Sequence, residues 1–134
     1  MLCFSVKTNM KILILEDDEE RIKFFKQYLA KEHILHFARH VWEAENIFDK
    51  EQPFNVIFLD HDLGGRAFVD PAEEDTGSGF ARFLKNKDLS KTTVVTHTFN
   101  SEGARSIQSI LKNVMYIPVT ELFQGLKNGS IKIG

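Results

Sequence analysis

Three short stretches of this sequence gather side chains able to ligate a cation, move a proton or hold a phosphate. They are Glu16-Asp17-Asp18-Glu19-Glu20, Asp60-His61-Asp62 and Thr96-His97-Thr98-Phe99-Asn100. Each follows a run of apolar or β-branched residues, "KILIL", "VIFL" and "TTVV". Runs of that composition read as strands, which puts the reactive residues at strand ends. Adjacent strand ends lie about 5 Å apart. If the first and third strands are neighbours, Glu16, Asp17 and Asp60 can approach one point. Carboxylates that close repel one another, and a bound cation relieves the repulsion. An oxygen-only donor set suits Mg²⁺ (or Mn²⁺), which takes one or two carboxylates, waters and a substrate phosphate. Asp18, Glu19 and Glu20 also fit the first turn of a helix, where acidic side chains meet the positive end of its dipole.

His61 lies between two aspartates and His97 between two threonines. Either imidazole can serve as general acid or base near neutral pH, or donate to a phosphate oxygen. Either can equally be a packed structural histidine. Neighbours on a strand point to opposite faces, so if Asp60 faces a metal, His61 faces away until the chain leaves the strand.

The elements that must position these groups alternate along the chain. Lys11–Leu15 is a strand, and Glu19–Lys31 is a helix with Ile22, Phe25 and Leu29 on one stripe, widened by Tyr28. Ile34–Ala38 is a second strand, followed by a helix marked by Ala44, Ile47 and Phe48 that stops before Pro53. Val56–Leu59 is the third strand, and Phe80, Phe83 and Leu84 mark the third helix. Thr92–Thr98 is the fourth strand; Ala104, Ile107, Ile110 and Leu111 mark a fourth helix with Ser101 as its N-cap. A short strand in "VMYIP" and a last helix with Leu122, Phe123 and Leu126, stopped at Gly129, complete the series. Such alternation implies an α/β fold: a doubly wound, five-stranded parallel sheet with helices on both faces. Sheets of this kind bind ligands outside the carboxyl ends of their strands.

The segment Gly64–Gly79, "GGRAFVDPAEEDTGSG", leaves the proposed site as a loop of 16 residues. Connections of this kind usually take roughly 2–6 residues, so it reads as a binding loop or lid, or else as a surface insertion. Its "TGSG" end has neither the P-loop nor the dinucleotide spacing.

Composition narrows the class. At 134 residues, with 43% hydrophobic and 27% charged residues, the chain fits a single soluble globular domain over 10–134, preceded by a short extension at 1–9. The net charge of −2 argues against broad DNA or membrane binding, which needs a strong basic field, though not against one phosphate or one RNA end. The lone cysteine, Cys3, allows no internal disulfide and fits a reducing, cytoplasmic setting. Neither a signal peptide nor a membrane span is expected.

These stretches resemble the response-regulator receiver domain over roughly Met10–Phe123. "KILILEDDEERIKFF" is similar to the receiver's first strand, acidic pair and helix, and "FNVIFLDHDLGG" to its third strand. "TTVVTHTFN" is similar to its fourth strand. The resemblance implies a flavodoxin-like, CheY-like sheet of order 2-1-3-4-5. It implies Glu16 and Asp17 as the metal pair, Asp60 as phosphoacceptor and ligand, and Asp62 as a contact through its main-chain carbonyl. Thr98 takes the hydroxyl position. Receivers usually carry lysine-proline at the end of the fifth strand, where this chain has Ile117-Pro118. "LDHDLG" together with His97-x-x-Asn100-x-x-Gly103 is most similar to the cyclic-phosphate-processing receiver branch.

Three functions follow as expectations. The first is a metal-dependent phosphodiesterase or phosphotransferase acting on cyclic phosphate ends of RNA or a nucleotide. In it Asp60, His61 and His97 do the chemistry, while Thr98, Asn100 and Gly103 hold the phosphate. The second is a signalling receiver in which a histidine kinase phosphorylates Asp60. The third is a non-catalytic, protein-binding pseudo-receiver.

Overall fold

The computed structural model describes residues 9–133, so Cys3 and nearly all of the expected extension at 1–9 lie outside the described residues. Five strands and five helices alternate: β1 (Lys11–Leu15), α1 (Glu19–Leu29), β2 (Ile34–Ala38), α2 (Val41–Glu51), β3 (Val56–Leu59), α3 (Gly77–Leu84), β4 (Thr93–Thr96), α4 (Ser101–Ile110), β5 (Met115–Tyr116) and α5 (Val119–Asn128). All pairings are parallel, in the order β2-β1-β3-β4-β5. The chain therefore reverses direction across the sheet beside β1 and β3, which pair from Ile12 with Val56 to Leu15 with Leu59. That register brings Glu16 and Asp60 to the same edge.

Residue alternation along the central strands splits the interior into two apolar layers. Leu13, Leu15, Ile57 and Leu59 pack with Phe48 of α2, Phe80 of α3 and Ile107 of α4. Ile12, Ile14, Phe58 and Val95 pack on the other face with Phe25 of α1 and Leu122 of α5. Both faces of β1 and β3 are thus buried, which is why these strands read as continuous apolar runs.

Several boundaries differ from the sequence reading. Helix α1 ends at Leu29, two residues early, where Ala30 closes the last turn onto the Lys26 carbonyl. Strand β4 stops at Thr96, because His97 and Thr98 already belong to the loop. β5 is confined to Met115–Tyr116, while Ile117 packs into the second apolar layer. α3 takes Gly77–Gly79 as its first turn, since the Thr76 side chain accepts from the Gly79 N–H and caps it. "TGSG" is therefore a helix start seated against the end of β3, with the Gly77 N–H donating to the His61 carbonyl at 3.0 Å. Gly129 ends α5 in the left-handed conformation at φ 81°. Among the described residues, no helix is long and apolar enough to cross a membrane.

Candidate functional site

The acidic residues converge. One carboxylate oxygen from each of Glu16, Asp17 and Asp60 lies within 4.8 Å of the others. Asp60 follows Phe58 in parity and therefore faces the α1 side of the sheet. Asp17 is tied from above, its Oδ2 accepting from the Gly65 N–H at 2.8 Å. Gly64 and Gly65 both adopt positive φ, at 73° and 72°, a conformation that lets the chain turn back over Asp17. Glu16 is fully buried: Oε2 accepts from the Asp17 and Asp18 N–H groups, and Oε1 lies 2.8 Å from His97 Nε2.

Among the described residues, Arg21, one turn into α1, seats its guanidinium among these carboxylates. Its guanidinium lies 3.3 Å from Asp60 Oδ2 and 3.6 Å from Glu16 Oε1, with its face over the Phe99 ring at 5.0 Å. The sequence reading missed Arg21. The available signal was position: Asp18 caps α1, so Arg21 is one turn from the acidic pair and on its side of the helix. Ile117, which stands where receivers carry lysine, lies among apolar side chains and offers no charge.

Electrostatics follow from this arrangement. Burial raises the Asp60 carboxyl most, and Glu16 adds to it; His97, Arg21 and the His61 N–H only partly oppose this, leaving a pKa of about 6. For Glu16, burial is also the largest influence, but the His97 hydrogen bond and charge, the Asp18 N–H and Arg21 together outweigh it and hold its pKa below the ordinary value. Three carboxylates facing Arg21 and His97 still leave excess negative charge around hard oxygen donors. That donor set fits a divalent cation such as Mg²⁺ or Mn²⁺. A cation must displace the Asp60 proton below about pH 6. Mg²⁺ or Mn²⁺ affinity should therefore be level above pH 7 and weaken by up to about tenfold per unit below pH 6. Calorimetric titrations between pH 5 and 8 read this directly; a flat profile would remove Asp60 from the ligand set.

Of the remaining predicted residues, His97 bonds Glu16, and Asp62 and Thr98 line the same cleft as Asp17 and Asp60, while His61, Asn100 and Gly103 form a separate buried group. His61 follows Leu59 in parity and faces the opposite layer, fully buried. Its Nδ1 lies 3.0 Å from Asp62 Oδ1 and its Nε2 3.0 Å from Ser78 Oγ, which donates in turn to Ser106 Oγ at 2.7 Å. The Asp62–His61–Ser78 chain is not a nucleophilic triad: Ser78 gives its one hydroxyl hydrogen to Ser106 and is itself fully buried, so no substrate carbonyl or phosphoryl group reaches it. Its evident work is to join the end of β3 to α3 and α4.

Asn100, not Ser101, caps α4. Its Oδ1 accepts from the Gly103 N–H at 2.9 Å, while Nδ2 donates to Asp62 Oδ1 at 3.1 Å. Both ends of the amide are engaged within the chain, so Asn100 has a capping and bracing role in addition to the phosphate contact expected of it. A Cβ on Gly103 would overlap the His61 ring, so His61, Asn100 and Gly103 interlock as packing. Asn100→Ala should lower stability by about 1–3 kcal/mol by orphaning the cap donor and an Asp62 acceptor. A thermal midpoint that falls without added metal or ligand checks this.

His97 is likewise sealed, with Phe25 and Phe58 edge-on at 5.3 and 6.4 Å. The Glu16 carboxylate can only accept, which places the ring hydrogen on Nε2. Among the described residues Nδ1 then meets no partner. His97 holds Glu16 in place and is not among the residues that line the cleft beside it.

That cleft, about 770 Å³, opens over the carboxylates. Asp17, Asp60, Arg21 and Thr98 line it, as do Arg66, Phe68 and Phe99. Asp62 faces it and also fastens the loop: its carboxylate accepts from the Phe68 N–H at 2.7 Å and the Val69 N–H at 3.0 Å. Burial disfavours the Asp62 charge, but hydrogen bonds from His61, Asn100, Val69 and Phe68 outweigh it and keep the pKa below the ordinary value.

Comparison with known proteins agrees with the geometry. A model of the cyclic-phosphate processing receiver domain matches residues 12–113. No curated protein matches the chain. Among solved structures, the Mn²⁺-bound form of response regulator Rcp1 is similar, with a TM-score of 0.65, 20% identity, and 89% of this chain and 90% of that one covered. The phosphorylated cyanobacterial phytochrome response regulator RcpA matches with a TM-score of 0.66 and 20% identity, covering 91% of each chain. The signal receiver domain of an HD domain-containing protein from Pseudomonas fluorescens Pf-5 matches with a TM-score of 0.68 and 17% identity, again over 91% of each. At these identities the likeness establishes the fold, a receiver-type α/β sheet.

Proposed function

This chain belongs to the cyclic-phosphate processing receiver domain family, and from that premise we propose that it is a divalent-metal-dependent enzyme opening a cyclic phosphate end of a nucleotide or RNA. The observation that carries the reading is the meeting of Glu16, Asp17 and Asp60 within 4.8 Å of one another beside an open cleft. Asp17 and Asp60 line the cleft and would hold Mg²⁺ or Mn²⁺, with buried Glu16 completing the charge behind them. The Asp62 main-chain carbonyl remains in the proposal as a further ligand. When bound, the cation supplies polarisation of a phosphoryl oxygen and acidification of water.

The chain's own residues do the rest. Arg21 pairs with a non-bridging phosphoryl oxygen as its charge grows in the transition state, taking the part that lysine takes in other receivers. His97 fixes the orientation of Glu16, as outer partners fix metal-ligating groups. Thr98 is among the residues that line the cleft, and its hydroxyl, which already accepts from the Asn100 N–H, would meet the phosphate there. Water attacks phosphorus, forming one P–O bond and giving up a proton to bulk water, while one ring P–O bond breaks and the departing oxygen takes a proton from bulk water in return. The product is a phosphate monoester.

A second reading draws support from Arg21 itself, which gives Asp60 the cationic neighbour that a phospho-aspartate needs. In that reading a kinase or a small phosphodonor phosphorylates Asp60. One experiment separates the two. The protein is incubated with Mg²⁺ and acetyl phosphate, and in parallel with adenosine 2′,3′-cyclic phosphate. Multiple turnovers of the cyclic phosphate with no covalent adduct by mass spectrometry support the enzyme. A stable adduct on Asp60 without turnover would replace it with the signalling receiver.

A further inference from the structure

Phe68 is 76% exposed and Phe99 is 54% exposed, yet both line the cleft that holds the carboxylates. Large apolar rings turned to water beside a polar site are unfavourable unless something covers them. Phe68 is also held there at a cost. Its φ is +54°, a conformation that a bulky residue adopts only when its surroundings impose it. The imposing group is Asp62, which binds the Phe68 and Val69 N–H groups and is itself braced by His61 and Asn100. The strain is thus fastened to the residue two places after Asp60. Two arginines share the cleft: Arg21 under Phe99, and Arg66 beside Phe68, the latter 2.9 Å from Glu73.

Exposed aromatic rings interleaved with arginines beside a phosphoryl site match one ligand chemistry, an unpaired nucleobase joined to the phosphate. Every base has a π-face that stacks on such a ring, and arginines track the phosphates. We infer that Phe68 and Phe99 form a base-stacking platform, so that the ligand is a nucleotide or a single-stranded RNA end rather than a base-free phosphate ester. This rests on the cyclic-phosphate reading for the placement of the phosphate, but base binding can be measured without turnover.

The test is equilibrium binding in Mn²⁺ of adenosine 3′-phosphate and of ribose 3-phosphate, neither of which carries a cyclic phosphate. The base-bearing ligand should bind about 10-fold or more tightly than the base-free one. Phe68→Ala should collapse that ratio toward one, and Phe68→Trp should restore it. Phe68 is exposed, so its truncation removes no core contact; Mn²⁺ affinity reports that the site is intact. Equal binding of the two ligands, or a ratio untouched by Phe68→Ala, would overturn the platform while leaving the cyclic-phosphate reading standing. Ring-dependent nucleotide binding without turnover of adenosine 2′,3′-cyclic phosphate would uphold the platform and overturn that reading. A short oligoribonucleotide with a 3′-phosphate distinguishes the sources. Tighter binding than the mononucleotide assigns an RNA end and equal binding a free nucleotide, and either sustains the platform.

Discussion

Asp60→Asn should weaken Mg²⁺ or Mn²⁺ binding by about 100-fold or more and remove most turnover, while making the metal-free protein more stable. The two effects have one origin. Asp60 is almost completely buried beside Glu16, and its carboxyl is pushed up to about 6 because ionising it there is unfavourable. Its folded pKa is raised above the unfolded value, so its contribution to stability is present in acid and is lost as pH rises through about 6. Above that pH the metal-free fold holds a poorly compensated charge, which asparagine removes. The gain is on the order of 1–3 kcal/mol at pH 8, discounted for coupling to Glu16 and His97. A higher thermal midpoint in chelator with lost metal affinity checks the pair of effects. A variant less stable in chelator would contradict the picture of a carboxylate kept for its ligand.

Arg21→Ala should separate metal binding from catalysis. The guanidinium lies 3.3 Å from Asp60 and 3.6 Å from Glu16, where it competes with a divalent cation for the same carboxylates. Its removal should leave metal affinity unchanged or raise it by up to about tenfold. Turnover should nonetheless fall by about 10²–10³, the usual effect of losing one donor to a developing phosphoryl charge. Arg21→Lys should recover part of the rate, because lysine supplies charge without the planar fork. Kinetics and calorimetry on the same preparations decide the matter. Parallel loss of metal affinity and rate would make Arg21 a support for the carboxylates and not a phosphate ligand.

Much of this was legible in the chain. The strand cores Lys11–Leu15 and Val56–Leu59 announce themselves because burial on both faces demands unbroken apolar runs. Strand adjacency, which the receiver resemblance implied, together with parity accounts for Glu16 and Asp60 meeting, since they follow Ile14 and Phe58 on one face. Asp17 joins them only because the chain has left the strand and the Gly65 N–H holds its carboxylate. Parity also warned that His61 would face away from Asp60, as it does. What the sequence could not convey is which polar atoms satisfy one another. Nothing in the spacing of Asn100 announces that its amide caps α4 through the Gly103 N–H and braces Asp62. Nor does the position of His97 announce that Phe25 and Phe58 seal it against Glu16. Arg21 was hidden as well. An arginine after a run of acids reads as an ordinary exposed helix residue, and only the packing of α1 over the sheet edge aims it at Asp60.

The most direct test of the central claim follows adenosine 2′,3′-cyclic phosphate by phosphorus NMR, with the substrate in large excess over protein. The cyclic resonance should convert to a monoester resonance over many turnovers in Mg²⁺ or Mn²⁺. Conversion should stop when chelator is added and resume when the metal is restored. A cyclic resonance that persists under metal-replete conditions, in the mononucleotide and in a cyclic-ended oligoribonucleotide alike, would contradict the assignment of this sheet edge to phosphate-ring opening.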